Sequence, residues 1–231
     1  MENLNKWSNV WESRTNALTK MSHIDLLKVS GYDNHRSTLY PWSLECAQDY
    51  YWNLINLKDY ESVYEVGCGC GAFLLPLYND NQKVGGLDLS NNLISLAKIN
   101  LPLGKWEHGE ATSLDTAEKW DHLVSFGLFF YFPSIEYAED VILKMLEKAN
   151  HTVSIYELPN LDLKEECEQM RREDNANYDN DYKDLPHLYY SKQWFIQFAL
   201  KHNLHLMIFD QLIPKYTNGK YRFCVVLRKN M

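Results

Sequence analysis

The sequence predicts an α/β fold in which helices cover both faces of a mostly parallel, seven-stranded sheet. From residue 62 onward, short apolar runs alternate with amphipathic segments, which is typical of parallel strands joined by helices. A glycine-rich segment at residues 67–71 follows the first predicted strand and precedes a helix. The dipeptide Asn218-Gly219 lies between the last two predicted strands and favours a hairpin, so we expect the sheet to end in an antiparallel pair.

The predicted elements follow one another in a regular order. Residues 1–60 are rich in Trp and Tyr, and the apolar positions within 43–57 share one helix face, so we predict an N-terminal helical cover before a main domain at 61–231. The predicted strands are residues 62–66, 83–89, 105–109, 121–127, 151–157, 205–213 and 221–228. The predicted helices between them are residues 72–78, 91–99, 135–148 and 192–202.

An acidic segment interrupts this alternation. Residues 161–185 contain nine acids and four bases, and we expect a helix in the first half and a solvated loop in the second. Residues 186–231 are basic instead, with seven bases and one acid. The acidic segment would either favour a cationic ligand or simply keep this part of the chain solvated. The basic C-terminus makes an anionic ligand an alternative.

Composition narrows the range of functions. The chain has 231 residues, 45% of them hydrophobic, which suits one globular domain with a full-sized core. The net charge of −8 argues against a nucleic-acid partner. The longest apolar stretch is about half the length that crosses a bilayer, and the N-terminus has no apolar signal core, so we expect a cytoplasmic protein with no membrane partner. The five scattered cysteines suggest neither a disulfide framework nor a metal site.

Three features around the first two strands point to a bound small molecule. Glycines at Gly67, Gly69 and Gly71 let the backbone turn sharply and approach a ligand closely. Glu65 lies in a strand that should be buried, where a carboxylate needs a charged partner. Asp88, at the tip of the second strand, can accept hydrogen bonds from ribose hydroxyls or cap the next helix. Because this glycine spacing also satisfies a dinucleotide-binding pattern, an NAD-dependent oxidoreductase stays open.

Five segments, in order along the chain, resemble the motifs of the class I S-adenosylmethionine-dependent methyltransferases. They are residues 64–71, 86–90, 108–111, 120–127 and 220–229. The resemblance implies a Rossmann-like domain at 61–231, with the cover at 1–60 and an insertion at 161–190 that closes over the substrate. It also implies S-adenosylmethionine as the cofactor, S-adenosylhomocysteine as the product, and no metal. The residues implied to bind the cofactor are Glu65, Gly67, Cys68, Gly69, Gly71, Asp88, Leu89, Glu110, Ala111, Phe126 and Gly127.

The reaction that this resemblance implies is direct in-line transfer of a methyl group to an oxygen or nitrogen atom of a small polar metabolite, such as a sugar or nucleotide-sugar. The donor is already activated, so alignment carries most of the catalysis, and a nearby base would assist. Candidate bases are His187, then Glu157, then His35, although most histidines serve structure alone. Aromatic residues that could stack on the acceptor, or only pack, are Tyr32, Tyr40, Tyr131 and Tyr189.

Two further interpretations remain open at this point. A cofactor-binding subunit without catalysis would carry the same motifs, and the oxidoreductase would share the glycine segment. We expect a monomer or a homodimer.

Overall fold

The computed structural model describes residues 2–14, 17–33 and 38–230, with side chains from Lys6 onward. His35, the third candidate base, lies outside the described residues. The strands are β1 (Val63–Val66), β2 (Val84–Asp88), β3 (Lys105–His108), β4 (Trp120–Phe126), β5 (Ala149–Pro159), β6 (Leu204–Asp210) and β7 (Arg222–Lys229). The helices are α1 (Glu2–Glu12), α2 (His23–Val29), α3 (Pro41–Ile55), α4 (Leu75–Asn79), α5 (Asn91–Asn100), α6 (Ile135–Lys148), α7 (Lys164–Asp174), α8 (Tyr178–Asp181) and α9 (Lys192–Lys201).

The described strands form one sheet of seven in the order β3-β2-β1-β4-β5-β7-β6. Strands β1 to β5 pair in parallel, whereas β7 runs antiparallel to both β5 and β6. Strand order reverses between β1 and β4, so the loops after these two strands diverge and leave a crevice at their carboxyl ends. The predicted mostly parallel, seven-stranded α/β fold with an antiparallel end is confirmed.

The connection between the last two strands differs from the prediction. Asn218 and Gly219 lie in a short 3-10 helix (Thr217–Tyr221), not in a two-residue hairpin turn, and residues 211–221 separate β6 from β7. This longer connection carries the buried side chains of Gln211 and Tyr216 to Glu157 at the end of β5. Their hydrogen bonds with a buried carboxylate outweigh the local turn preference of Asn-Gly.

Helix boundaries agree with local sequence signals, with one exception. Ser90 and Ser134 accept hydrogen bonds from the backbone at the starts of α5 and α6, which begin at these N-caps. The helix expected at residues 72–78 begins later, at Leu75, with Pro76 in its first turn. Proline is favoured there because its missing N–H has no helical partner in any case.

The core lies on both faces of the sheet. Side chains from α2, α3 and α5 pack on one face, among them Leu26, Leu44 and Ile94, while Val141 and Phe195 from α6 and α9 pack on the other. The first half of the acidic segment forms α7, as expected, and Cys167 of α7 is buried against the main domain. The second half is not wholly a solvated loop, because it contains the short helix α8, whose Tyr178 is buried. No helix in the described part of the chain is long and apolar enough to cross a membrane.

Candidate active site

The loop after β1 is held in a conformation that glycine adopts readily. Gly67 has φ +79°, and a Cβ there would lie 2.7 Å from the side chain of Leu128. Gly69 has φ +51°, but a Cβ would meet only ordinary contacts, the nearest at 3.7 Å. The backbone N–H groups of Gly67 and Cys68 both donate to the carbonyl of Leu87, which joins this loop to β2. The loop thereby presents its backbone to the crevice beyond the sheet.

Asp88 connects this loop to the start of α5. Its carboxylate oxygens accept hydrogen bonds from the backbone N–H of Gly69 and of Ser90, both at 2.8 Å. Burial raises the pKa of Asp88, and these two N–H groups oppose that effect. Each oxygen keeps a second lone pair, so Asp88 can still accept hydroxyl donors from a ligand.

Glu65 is a buried carboxylate facing the same crevice, with 2% of its surface exposed. One oxygen, Oε2, has no hydrogen-bond partner among the described residues. Burial, and then the nearby charge of Asp88, raise the pKa of Glu65 well above its usual value. An uncompensated carboxylate at this depth is costly, so a cationic group placed beside Oε2 would be strongly favoured.

The far end of the crevice is formed by the loop after β3. The exposed side chain of Glu110 accepts a hydrogen bond from the hydroxyl of Tyr137 at 2.9 Å. Tyr137 comes from α6 and also packs against Phe132. Ala111 lines the crevice beside Glu110. Tyr137 was not singled out from the sequence, because only the folded chain brings α6 to this loop.

These groups surround a first cavity of about 110 Å³. Every predicted cofactor residue except Gly71 lines it. Gly71 instead faces the core, where a Cβ would lie 3.2 Å from both Leu101 and Trp106. Ligand pockets usually measure about 300–1,000 Å³, and the tryptophans of α1, Trp7 and Trp11, narrow this one.

A second, larger cavity of about 550 Å³ adjoins the first. Four residues line both cavities: Ser30, Tyr32, Gly127 and Tyr131. Tyr32 lies so close to Gly127 that a Cβ there would be 2.5 Å from the tyrosine hydroxyl oxygen. Gly127, which has φ +71°, thus allows the aromatic wall to approach the end of β4.

Glu157 lies in the wall of the second cavity with a positive φ of 67°, which is uncommon for a residue other than glycine. Its carboxylate accepts hydrogen bonds from Gln211 and from the hydroxyl of Tyr216, the latter at 3.0 Å. The Nε atom of Arg222 lies 4.0 Å from Glu157 Oε2. Burial raises the pKa of Glu157, although Arg222 and the hydrogen bonds counteract it.

His187 also lines the second cavity, and its ring nitrogens have different roles. Nη1 of Arg171 lies 2.6 Å from His187 Nδ1. Because a guanidinium can only donate, Nδ1 accepts and the neutral ring carries its proton on Nε2. Burial, then the charges of Arg171 and Arg222, lower the pKa of His187 well below its usual value. In this arrangement His187 offers an N–H donor, while its lone pair is already engaged.

Of the tyrosines predicted to face the substrate, only Tyr32 and Tyr131 line the cavities. Tyr40 is 41% exposed and stacks on Trp42, away from both. Tyr189 is buried in a separate cluster with Cys167 and Met170. Aromatic content in the two covering segments could not distinguish a cavity wall from a packing contact, because that depends on which face each segment presents.

Arg171 and Arg222 are the main residues of the second cavity that sequence reasoning missed. Arg222 begins strand β7 directly before the apolar run at residues 223–227, and a charged residue next to such a buried run is a usable signal. Arg171 carries no comparable signal, since it lies in a helix that is mostly charged.

Residues 63–149 match the family model described as a methyltransferase domain. The fold is shared by magnesium protoporphyrin IX methyltransferase from Synechocystis PCC 6803 with bound SAH, at 13% identity and a TM-score of 0.63, over 90% of this chain and 97% of that one. It is also shared by the plantazolicin methyltransferase BpumL in complex with SAH, at 16% identity and a TM-score of 0.65, over 99% of both chains.

A third similar structure is the N-methyltransferase NodS from Bradyrhizobium japonicum WM9 in complex with SAH. It has 13% identity and a TM-score of 0.59, over 91% of this chain and 100% of that one. No curated protein matches the chain. At these identities the structural likeness establishes the fold, and the family model identifies the part that carries the cofactor motifs. The resemblance inferred from the sequence is confirmed for the domain and the fold: residues 63–149 match a methyltransferase domain, and the chain shares the fold of these methyltransferases.

Proposed function

We propose that this chain, whose residues 63–149 match a methyltransferase domain, transfers a methyl group from S-adenosylmethionine to an oxygen or nitrogen atom of a small polar metabolite. The observation that supports this most directly is the junction of the two cavities at Tyr32, Gly127 and Tyr131. Ten of the predicted cofactor residues line one cavity, whereas the other is larger and polar and shares only Gly127 with that set. Residues 1–60 and 161–190 form the cover over this junction in the proposal.

The residues of the first cavity fit the cofactor. The free Oε2 of Glu65 suits the ammonium of its methionine part, Asp88 suits its ribose, and the loop at Glu110 suits its adenine. When bound, S-adenosylmethionine supplies a methyl group already activated on a sulfonium sulfur. Because the cavity is narrowed by Trp7 and Trp11, we expect α1 to move aside when the cofactor enters.

The chain's contribution to catalysis is then alignment and removal of a proton from the acceptor. Aromatic side chains at the junction exclude water, which favours the direct displacement over side reactions. Glu157 and His187 remain the candidate bases. Burial makes the carboxylate of Glu157 more basic, whereas Nδ1 of His187 is engaged by Arg171. We therefore place Glu157 ahead of His187, in reverse of the order that the sequence suggests.

Two measurements test this function. Calorimetry with S-adenosylhomocysteine and with NADH should show binding of the first and none of the second. Incubation with methyl-labelled S-adenosylmethionine and a metabolite extract should then label a small molecule. Tight NADH binding without S-adenosylhomocysteine binding would contradict the proposal. Binding of S-adenosylhomocysteine with no labelled product would instead support a cofactor-binding subunit without catalysis.

Location and assembly belong to the same proposal. We propose a cytoplasmic location and a monomer or a homodimer, and size-exclusion chromatography with light scattering measures the assembly.

A further inference from the structure

Arg222 is a buried cation whose hydrogen-bonding capacity is largely unused. Its side chain is 2% exposed, yet Nε and Nη1 have no hydrogen-bond partner among the described residues. Its nearest opposite charge is Glu157, at 4.0 Å, and its guanidinium carbon lies 4.9 Å from the ring centre of Phe130. Burying guanidinium N–H groups without acceptors is costly, so this position is suited to a ligand that supplies them.

A second guanidinium lies in the same cavity. Arg171 reaches in from α7 and donates to the neutral ring of His187, so this contact satisfies an N–H without cancelling the charge. Glu157 is the inner carboxylate, and burial raises its pKa. The other acids that line the cavity, Glu173 and Asp174, are exposed. The inner part of the cavity therefore holds two cations against one carboxylate.

Aromatic rings form part of the wall of the second cavity, beside its polar groups. Phe130, Tyr131, Tyr182 and Tyr216 line it. Aromatic faces of this kind stack on planar rings, and guanidinium groups bind carboxylate or phosphate through two parallel hydrogen bonds.

We propose that the second cavity binds a methyl acceptor that combines a planar ring with an anionic group, either a carboxylate or a phosphate. Arg222 and Arg171 bind the anion, and the ring directs its reacting atom towards the junction at Tyr32 and Tyr131. This inference rests on the proposed methyl transfer and narrows its substrate class. The acids of the insertion do not alter this, since those that line the cavity are exposed while the unsatisfied guanidinium is buried.

The test compares four phenols that carry para substituents of different charge, of which the benzoate and the benzamide are nearly equal in shape. Ligand-detected NMR and calorimetry would measure binding of 4-hydroxybenzoate, 4-hydroxyphenyl phosphate, neutral 4-hydroxybenzamide and cationic tyramine, with and without S-adenosylhomocysteine. At least one of the two acids should bind about 10-fold tighter than the amide or the amine, because hydrogen bonds to charged groups are the stronger ones. Whichever acid binds more tightly distinguishes a carboxylate from a phosphate acceptor.

Variants then locate the binding. Arg222→Gln and Arg171→Gln should each weaken acid binding by about 10- to 100-fold and leave amide binding within about 2-fold. Arg172→Gln is the matched control, because Arg172 is the next residue on α7 but is exposed and pairs with Asp179. Arg222→Lys keeps the positive charge but removes the paired N–H groups of the guanidinium. It should therefore lose less affinity for the acids than Arg222→Gln. Thermal melting and S-adenosylhomocysteine affinity report whether each variant is folded.

Several results would overturn the proposal. They are equal or tighter binding of the amide or tyramine, no binding of either acid, or acid binding unchanged by both arginine variants. If Arg222→Gln does not fold, Arg171→Gln and Arg222→Lys decide the question. Wild-type protein that binds the acids but not S-adenosylhomocysteine would contradict the proposed function while leaving the anion preference standing.

Discussion

Replacing Glu65 by glutamine should separate cofactor affinity from stability. The substitution keeps the shape of the side chain and removes its charge. Glu65 is 2% exposed, with Oε2 unpartnered among the described residues and its pKa raised by burial and by Asp88. In the free protein the buried negative charge of Glu65 destabilises the fold. Beside a cationic group, the same carboxylate becomes a strong hydrogen-bond acceptor.

We expect the substitution to lower the affinity for S-adenosylhomocysteine but not the stability of the free protein. Losing a hydrogen bond to a charged partner costs about 1.5–3 kcal/mol, so Glu65→Gln should bind S-adenosylhomocysteine about 10- to 150-fold more weakly. The free energy of unfolding of the free protein should stay level or rise, because the raised pKa means that the folded state disfavours the carboxylate above the unfolded value of 4.5.

Calorimetry and urea unfolding, each with and without S-adenosylhomocysteine, measure the two quantities. Glu165→Gln is the control, because Glu165 is an exposed acid of α7 that lines neither cavity. Unchanged affinity in Glu65→Gln would refute the reasoning and make Glu65 a structural acid. Equal losses of affinity and of stability would refute it too, since both would then follow from a damaged fold.

Four further predictions test other parts of the site. Asp88→Ala should weaken the binding of S-adenosylhomocysteine by about 1–3 kcal/mol in calorimetry. Unchanged affinity would mean that Asp88 serves only to accept the backbone hydrogen bonds of Gly69 and Ser90. Gly67→Ala should lower the urea midpoint more than Gly69→Ala, because only Gly67 meets Leu128 at 2.7 Å; equal shifts would contradict this. Glu12→Ala should speed S-adenosylhomocysteine association in stopped flow, since Glu12 accepts from Ser90 Oγ at 2.8 Å and holds α1 closed; an unchanged rate would argue against movement of α1. Burial lowers the pKa of His122 below 6.5 in the folded state, so stability should be lost as pH falls through about 6.5, where the unfolded chain takes up the proton. His122→Gln should flatten this urea-midpoint profile, and an unaltered slope would place the effect elsewhere.

Local signals were enough to predict most of the secondary structure. Helix α6 lies where the amphipathic pattern predicts it, at Ile135–Lys148, because its N-cap Ser134 and its apolar face are properties of the segment itself. The antiparallel pair that Asn-Gly predicts is present, but its connection is longer than a tight turn. Tyr216, two residues before Asn218, donates a hydrogen bond to Glu157, which is far away in sequence. A turn preference of neighbouring residues cannot anticipate such a contact.

The sheet, the glycine loop and the segments that resemble cofactor motifs could all be predicted from the order of residues along the chain. This was possible because Glu65, Asp88 and Glu110 each lie at or near the carboxyl end of a parallel strand, and such ends meet at one edge of the sheet. The second cavity becomes visible only in the folded chain, where Arg171 of the insertion and Arg222 of the reversed strand line the same space. These arginines indicate an anion site only because burial separates Arg222 from water and leaves its N–H groups without acceptors. Burial depends on the fold of the whole chain, so the sequence around each arginine does not show it.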